Sequence, residues 1–466
     1  MVFRIRAGHQ IILIYGNNVA REFPKRPPGG QKGAMSRAHQ VVILGGGFGG
    51  LVAAQTLKRA SVEITLLDKR NFHLFQPLLY QVATGSLSPA EIAAPLRGIL
   101  RHQKNVEVLL GEAVDIDPAA KQVILGDGGV FPYDSLIIAT GSQTSYYGKD
   151  QWRENAPSLK SVEEALAMRH KLLYAFERAE RAESEEEARA WLNFVIVGAG
   201  ATGLELAGAL AEIAHHTLKH DFRRIQPHEA RIILMEGGPR VLSNYPEDLS
   251  AKAVEQLKTL NVEVMLGAFV TGIEHDEIHY KHGEVSGSIP ARTVFWAGGV
   301  TATPFARKVA ERLQAETDRN GRFKVNPDLT VPGHPEIFVV GDLALSLDDK
   351  GRPLPGVAQV AIQGGRYAAN VIKARLKGKT LPPFKYFDKG DMAVIGRAAA
   401  VANIFGLHVS GFLAWFIWVF IHLVYIVEFQ SRILVMIDWG FLYLTFSRRA
   451  RLITGELTPD RPLQEE

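Results

Sequence analysis

The chain has no cysteine among its 466 residues. That absence excludes a disulfide framework, a thiolate zinc site, an iron–sulfur cluster and a redox-active C-x-x-C dithiol. Charge of one sign is also scarce, with a formal net charge of +4. Residues 1–38 hold seven Lys/Arg and one Asp/Glu, which leaves the rest at −2. Such a distribution supplies no basic face, and nucleic-acid binding is excluded. Long hydrophobic runs are missing too. The longest, residues 411–427, spans ~25 Å as a helix, short of the ~30 Å hydrocarbon core. Segment 1–38 has one short apolar run, Ile11–Tyr15, then several Pro and Gly, and no A-x-A-like cleavage site. It is read as a disordered extension, with Met35 an alternative start.

What the chain does have is glycine in two repeated patterns. Val41-Val42-Ile43-Leu44 leads into Gly45-Gly46-Gly47-Phe48-Gly49-Gly50, and Phe194-Val195-Ile196-Val197 leads into Gly198-Ala199-Gly200-Ala201-Thr202-Gly203. Each reads as strand, G-x-G-x-x-G, helix, the unit that wraps a dinucleotide pyrophosphate around a helix N-terminus. One such unit also fits a glycine turn made only for close packing; two in one chain suggest a flavin on the first and a nicotinamide dinucleotide on the second. A second strand after the first unit ends in Asp68, 23 positions beyond Gly45, where a carboxylate reaches ribose hydroxyls. Its counterpart, Arg231–Met235, ends in Glu236, which accepts both adenine-ribose hydroxyls and repels a 2′-phosphate. NADH is therefore expected over NADPH, although the same residue also fits an exposed strand-end charge.

Small-residue turns at Ala139-Thr140-Gly141 and Ala297-Gly298 each follow a fingerprint by roughly a hundred residues, a weak internal repeat. Gly341-Asp342 closes a third apolar strand, where the carboxylate suits a flavin ribityl hydroxyl; alone, it also fits a strand-end turn. Gln359 and Gln363, four apart, project from one face of an expected helix, and neutral amides suit quinone carbonyls; alone, they also fit an exposed polar face. His215, His216, His220 and His228 lie in a polar insertion among Lys219, Arg223 and Arg224, a solvated face rather than a metal site. The charged run Glu177–Arg189 reads as a solvated helix or linker.

From about residue 39 to 455 the chain resembles the type II NADH dehydrogenases, single-subunit NADH:quinone oxidoreductases that do not pump protons. The resemblance rests on Asn71-Phe72-His73-Leu74-Phe75-Gln76-Pro77-Leu78-Leu79-Tyr80-Gln81-Val82-Ala83-Thr84-Gly85, both fingerprints, Gly341-Asp342 and the Ala358-Gln359 to Gln363 run. It implies FAD in the first domain, NADH in the second, and a quinone at the other edge of the flavin. It also implies that Glu205 sits near the nicotinamide–flavin junction, tuning charge transfer; otherwise Glu205 is a glutamate favoured by the helix dipole. Lys69, Val114 and Ala358 complete the expected flavin contacts. Gly364 departs from the family, which often places a polar or bulkier residue there, and no calcium-binding loop is inserted.

The expected architecture is α/β, with two Rossmann-like dinucleotide-binding domains, the NAD domain inserted in the FAD domain, and a C-terminal membrane-anchoring helical region. The boundaries are 1–38 for the extension, 39–190 and 296–385 for the FAD domain, 191–295 for the NADH domain and 386–466 for the anchor. In the anchor, Trp415, Trp418, Trp439 and Tyr443 are expected at the lipid interface and Arg448-Arg449 at anionic head groups. For residues 411–427 a single membrane span and a buried core or dimer helix are the alternatives; a monotopic anchor on the cytoplasmic face and a homodimer complete the expectation. The rivals are a soluble flavoprotein reductase with a protein or other non-quinone acceptor, and a non-catalytic NADH-sensing flavoprotein.

Overall fold

The structure, a computed structural model, describes residues 3–7, 10–15, 18–19 and 37–454. Within the N-terminal unit, Phe3–Ala7, Gln10–Tyr15 and Asn18–Val19 pair as three antiparallel strands. The sequence expectation for this segment is a disordered extension, and the β-branched Ile11, Ile12 and Ile14 favour a strand. The other residues of 1–38, apart from Arg37 and Ala38, lie outside the described ones.

The main unit begins at His39. Its first sheet has six strands in the order Thr330–Val331, His334–Val339, Ser135–Ile138, His39–Leu44, Val62–Asp68 and Val106–Leu110. All neighbours are parallel except the first pair. Val41 to Leu44 and Ser135 to Ile138 are buried, as continuous Val/Ile/Leu runs must be when both sheet faces are covered. Helix Phe48–Thr56 lies on one face beside helix Ala358–Arg375. The two backbones meet where neither has a β-carbon: one built on Gly365 falls 2.1 Å from the Gly49 carbonyl oxygen.

The inserted domain repeats the plan with four parallel strands, ordered Val262–Leu266, Arg231–Glu236, Asn193–Val197 and Thr293–Trp296. Its first helix, Ala201–Glu212, leaves the second glycine loop. Helix Val162–Glu180 starts at Ser161, whose hydroxyl accepts from the Glu164 amide at 3.2 Å, with Glu163 and Glu164 favoured in its first turn. The charged run Glu177–Arg189 spans the end of this helix and the start of a second, Glu185–Leu192, capped by Ser184.

The C-terminal region is not helical throughout. A three-stranded antiparallel sheet, Asp391–Gly396, Ala399–Ile404 and Leu407–Ser410, precedes helices Phe412–Tyr425 and Phe429–Thr445. Its second hairpin turns on Phe405 and Gly406, both at positive φ (51° and 84°). The sheet is locked to the inserted domain at Gly208, where a β-carbon would lie 1.5 Å from the Ile395 carbonyl oxygen.

The final helix is fastened inward, which corrects two expectations. Trp418 and Trp439 are core residues, not interface residues. The Trp439 indole donates to Gln81 Oε1 at 2.6 Å, and Gln81 Nε2 donates to the Tyr80 hydroxyl at 2.9 Å. Arg448 is 3% exposed and meets no head group. Its guanidinium pairs with Glu212 at 2.9 Å and donates to Ser86 and, at 3.2 Å, to Thr84 Oγ1. A buried Glu212 needed that cation, and nothing local to Ser447-Arg448-Arg449 signals it. Arg449 stays exposed and pairs with Asp438 at 3.3 Å.

Removing one partner of a buried pair strands the other charge. Arg448→Met should destabilise the protein by ~3–5 kcal/mol, and Glu212→Gln in the same chain should restore much of it. Thermal unfolding of the single and the double variant checks this; an Arg448→Met protein as stable as wild type would show that the pair fastens nothing.

Candidate functional site

The two glycine loops are built alike, residue for residue. Gly45 (φ +98°) and Gly198 (φ +101°) turn the chain off each central strand. β-Carbons there would fall 2.4 Å from the Ala139 carbonyl oxygen and 2.7 Å from that of Ala297. The last glycines, Gly50 and Gly203, would each place one 1.9 Å from the Gly45 or Gly198 oxygen. The middle glycines differ: around Gly47 and Gly200 a β-carbon would meet nothing within 4 Å. Neither helix N-terminus has a side-chain cap or an acidic residue in its first turn, although Thr202 is there in the second. Open space above uncapped N–H groups is what a pyrophosphate needs. The residues present fit a dinucleotide at both loops.

The strand-end carboxylates match as well. Asp68 accepts from the Gly46 amide at 2.5 Å and the Arg70 amide at 2.7 Å. Glu236 accepts from the Ala199 and Gly238 amides, both at 2.8 Å. Each carboxylate is thus tied to its own glycine loop, with acceptor capacity remaining for ribose hydroxyls. Lys69 is exposed and 4.0 Å from Glu112, and Val114 is exposed on a neighbouring strand. Beside the first loop, Thr140 Oγ1 is buried without a partner and Gly141 (φ +67°) faces open space. Beside the second, Ala297 and Gly298 follow Trp296, whose indole a Gly298 β-carbon would approach to 3.0 Å. Phe48 packs edge-on to His73 and Phe75, at 5.0 and 5.9 Å between ring centres.

Asp342 sits in the turn Gly341–Leu343 and accepts from Ser142 Oγ at 2.6 Å, with Lys160 Nζ 3.7 Å away. Sequence reasoning missed Ser142 and Lys160, because they lie about two hundred positions away and belong to no motif.

Helix Ala358–Arg375 carries both expected amides, but they do different work. Gln363 Nε2 donates to the Phe387 carbonyl at 2.9 Å, and its Oε1 accepts from the Phe387 amide at 2.9 Å. That reciprocal pair uses the amide to hold the segment entering the C-terminal sheet, so both amides do not project freely, as helical spacing alone suggested. Gln359 Nε2 donates to the Gly390 carbonyl at 3.3 Å, and its buried Oε1 has no partner. Nearby, Lys389 Nζ donates to the Tyr425 hydroxyl at 2.9 Å, joining the same corner to helix Phe412–Tyr425.

Glu205 faces the C-terminal sheet. With Tyr80, Tyr443, Val394 and the Glu212–Arg448 pair it lines a cavity of about 30 Å³, room for a water. Burial pushes its carboxyl well above the usual range, against an opposing backbone hydrogen bond at Val394. His216 of the polar insertion stacks on Phe446, with 4.5 Å between ring centres. Among the described residues no group of three or more His, Cys, Asp or Glu is arranged to hold a metal ion.

Paired Rossmann units, the second inserted in the first, define a two-dinucleotide oxidoreductase. The pyridine nucleotide-disulphide oxidoreductase family matches residues 39–365, and the NDH2 C-terminal domain family matches residues 389–449. The type II NADH:quinone oxidoreductase Ndh of Mycobacterium tuberculosis is 46% identical over 427 residues, covering 90% of this chain and 91% of that protein. Its counterpart in Haemophilus influenzae is 31% identical over 420 residues, covering 81% and 91%. The chain belongs to the type II NADH:quinone oxidoreductase family. Two solved structures share the fold. NDH2 of Plasmodium falciparum in complex with NADH has a TM-score of 0.81 at 22% identity, over 88% of this chain and 99% of that one. The sulfide:quinone oxidoreductase of Aquifex aeolicus has a TM-score of 0.68 at 20% identity, over 89% and 92%.

The open middle glycines yield a paired test. Gly47→Val should give protein that does not retain flavin, because the new side chain fills the cradle. Gly200→Val should stay yellow yet lose bleaching by NADH. Flavin absorbance before and after NADH reads both; stoichiometric flavin in the Gly47 variant would refute the first cradle.

Proposed function

We propose that this chain oxidises NADH and reduces a membrane quinone, with FAD between them and without pumping protons. The observation that carries the reading is the duplicated cradle, open at Gly47 and at Gly200 and gripped from the side by Asp68 and Glu236. When bound, FAD supplies the ring that takes a hydride and relays electrons two at a time.

The chain's own residues bind and orient. The Gly198–Gly203 loop holds the NADH pyrophosphate, and Glu236 accepts the adenine-ribose hydroxyls and disfavours a 2′-phosphate. Gly45, Gly49, Asp68, Thr140, Gly141, Asp342 and Ala358 surround the flavin chain, with Lys160 balancing the Asp342 charge. No side-chain acid or base is needed for the hydride step, which depends on alignment. Gln359 is the amide offered to the quinone, since its Oε1 is buried and unpartnered. Glu205 lies between the inserted domain and the C-terminal sheet, where burial favours its neutral form, the proposed means by which it tunes charge transfer.

Flavin-loaded protein should turn over NADH repeatedly only when a short-chain quinone is supplied. Gln359→Leu should raise the quinone KM several-fold, about one hydrogen bond's worth, and leave flavin bleaching by NADH in stopped flow near wild type. Gln363→Leu should act differently, costing ~1 kcal/mol of stability by removing the exposed hydrogen-bonded pair with the Phe387 backbone. Bleaching slowed as much as quinone turnover in the Gln359 variant would refute a separate quinone contact there.

The anchor reading rests on the outer face of the last two helices. Phe412, Phe416, Phe420, Phe441 and Leu444 are exposed, the last at 80%. A contiguous apolar face of this kind marks a lipid or partner surface. The helices have 14 and 17 residues, and no helix among the described residues is long and apolar enough to cross a membrane. We read the region as a monotopic anchor on the NADH-containing, cytoplasmic face, in a homodimer. Truncation would remove Trp439 and Arg448 from the core, so the clean test is Phe412→Ser, Phe416→Ser and Phe420→Ser together. This variant should keep its flavin and leave the membrane fraction; flavin-loaded protein still sedimenting with membranes would rule the anchor out.

A further inference from the structure

Tyr147 is a large aromatic residue that meets one ring, Trp296, edge-on at 6.3 Å and leaves most of its own surface in solvent. It lies in the loop between strand Ser142–Thr144 and helix Trp152–Asn155, outside the inserted domain. The strand pairs antiparallel with Val300–Ala302, which follows the small-residue turn Ala297–Gly299 of the second dinucleotide unit. The loop is pinned there: the Trp296 indole donates to the Ser145 carbonyl at 2.8 Å, and the Ser145 amide donates to the Gly299 carbonyl at 3.1 Å. Tyr146 turns inward, 1% exposed and stacked on Trp296 at 5.3 Å. Tyr147, next in the chain, turns out. Its backbone is left-handed (φ +52°), rare for an aromatic residue, and it is 70% exposed. Folding gains little from a strained backbone that exposes a ring. Such features gather where a ligand is clamped.

The ring overhangs the dinucleotide edge of the inserted sheet. Its hydroxyl lies 2.4 Å from where a Gly299 β-carbon would be, so the phenol rests over the glycine turn. Partial burial against the Gly299 turn raises the pKa of that hydroxyl, and the Glu236 carboxylate adds to the effect, with Arg319 opposing. The phenol is therefore within electrostatic reach of the group that grips the adenine ribose. The ends of strands Arg231–Glu236 and Thr293–Trp296 flank the second glycine loop, and Tyr147 covers this edge from outside the sheet.

We propose that Tyr147 is the aromatic wall of the NADH site, packing against the adenosine half of the dinucleotide and setting its affinity. This rests on the reading of the Gly198–Gly203 loop as the NADH site. An aromatic face supplies stacking to a base without hydrogen-bond demands. It acts on the half of NADH that takes no part in hydride transfer, so it affects binding rather than chemistry.

The test uses flavin-loaded full-length protein with Tyr147→Ala, Tyr147→Phe and Tyr147→Asn, the last a residue that tolerates positive φ. Flavin bleaching is followed with NADH and with reduced nicotinamide mononucleotide, which lacks the adenosine half. Tyr147→Ala and Tyr147→Asn should raise the NADH KM roughly 3–10-fold with kcat within about twofold of wild type. Tyr147→Phe should match wild type, and the mononucleotide should be bleached alike by all four proteins. An unchanged NADH KM in Tyr147→Ala would overturn the proposal. So would an equal shift with the mononucleotide, or a wild-type KM restored by Asn. Wild-type protein that NADH does not bleach would overturn the NADH-site reading itself, whatever Tyr147 does.

Discussion

Backbone meeting backbone with no side chain between is the constraint on which the rest depends. At Gly50 and Gly203 a β-carbon would sit 1.9 Å from a carbonyl oxygen, so each helix starts directly beneath its own glycine turn. At Gly365 the same condition lets helix Ala358–Arg375 lie against helix Phe48–Thr56, bringing Gln359 to the side of the first cradle. At Gly208 it lets the C-terminal sheet touch the first helix of the inserted domain, and Glu205, one turn earlier, is enclosed as a result. Three approaches, each intolerant of a methyl group, set the places of the dinucleotides, the amide and the acid.

Enclosure then determines charge. Desolvation outweighs the one backbone hydrogen bond offered to the ionised form of Glu205 and raises its pKa. Glu212, two turns along on the same face of the helix, lines the same cavity and receives Arg448 Nη2 at 2.9 Å and the Arg397 amide at 2.6 Å. The two glutamates differ in their partners: the C-terminal segment brings a cation to Glu212 and none to Glu205. Arg448 thereby joins the segment after the last helix to the inserted domain.

Both cradles were legible because their chemistry is local: a strand, three glycines at fixed spacing, a helix, and a carboxylate at the next strand end. Gln359 and Gln363 were legible as a pair, but not in their division of labour, since Phe387 is 24 positions from Gln363 and only tertiary contact joins them. Ser142, Lys160, Gln81 and Arg448 were illegible as partners for the same reason. The C-terminal sheet was missed because Ala393, Val394 and Ile395 are buried in succession, which hides the alternation that marks an amphipathic strand. Tryptophan misled outright: indoles favour an interface, yet Trp439 found a buried acceptor in Gln81 and became core.

The last two helices join these threads, because each faces two ways. Ala414, Trp418, Val435 and Trp439 are buried inward, while the phenylalanines point out. A helix held by a buried indole bond and an ion pair cannot move without drawing both dinucleotide-binding domains with it. On the proposed anchor reading, its apolar face therefore sets the height at which those domains sit on the lipid. Phe387, beside Gln363, and Phe405 are exposed as well, their ring centres 6.0 Å apart. The loop that Gln363 holds thus presents an exposed aromatic pair beside helix Ala358–Arg375. A quinone is a polar ring on an apolar tail, and on the proposed reading the unpartnered Gln359 amide would meet the ring and these exposed side chains the tail. Proposed anchor and proposed quinone contact would then belong to one C-terminal region, which the inward bonds of Trp439 and Arg448 hold against the dinucleotide-binding domains.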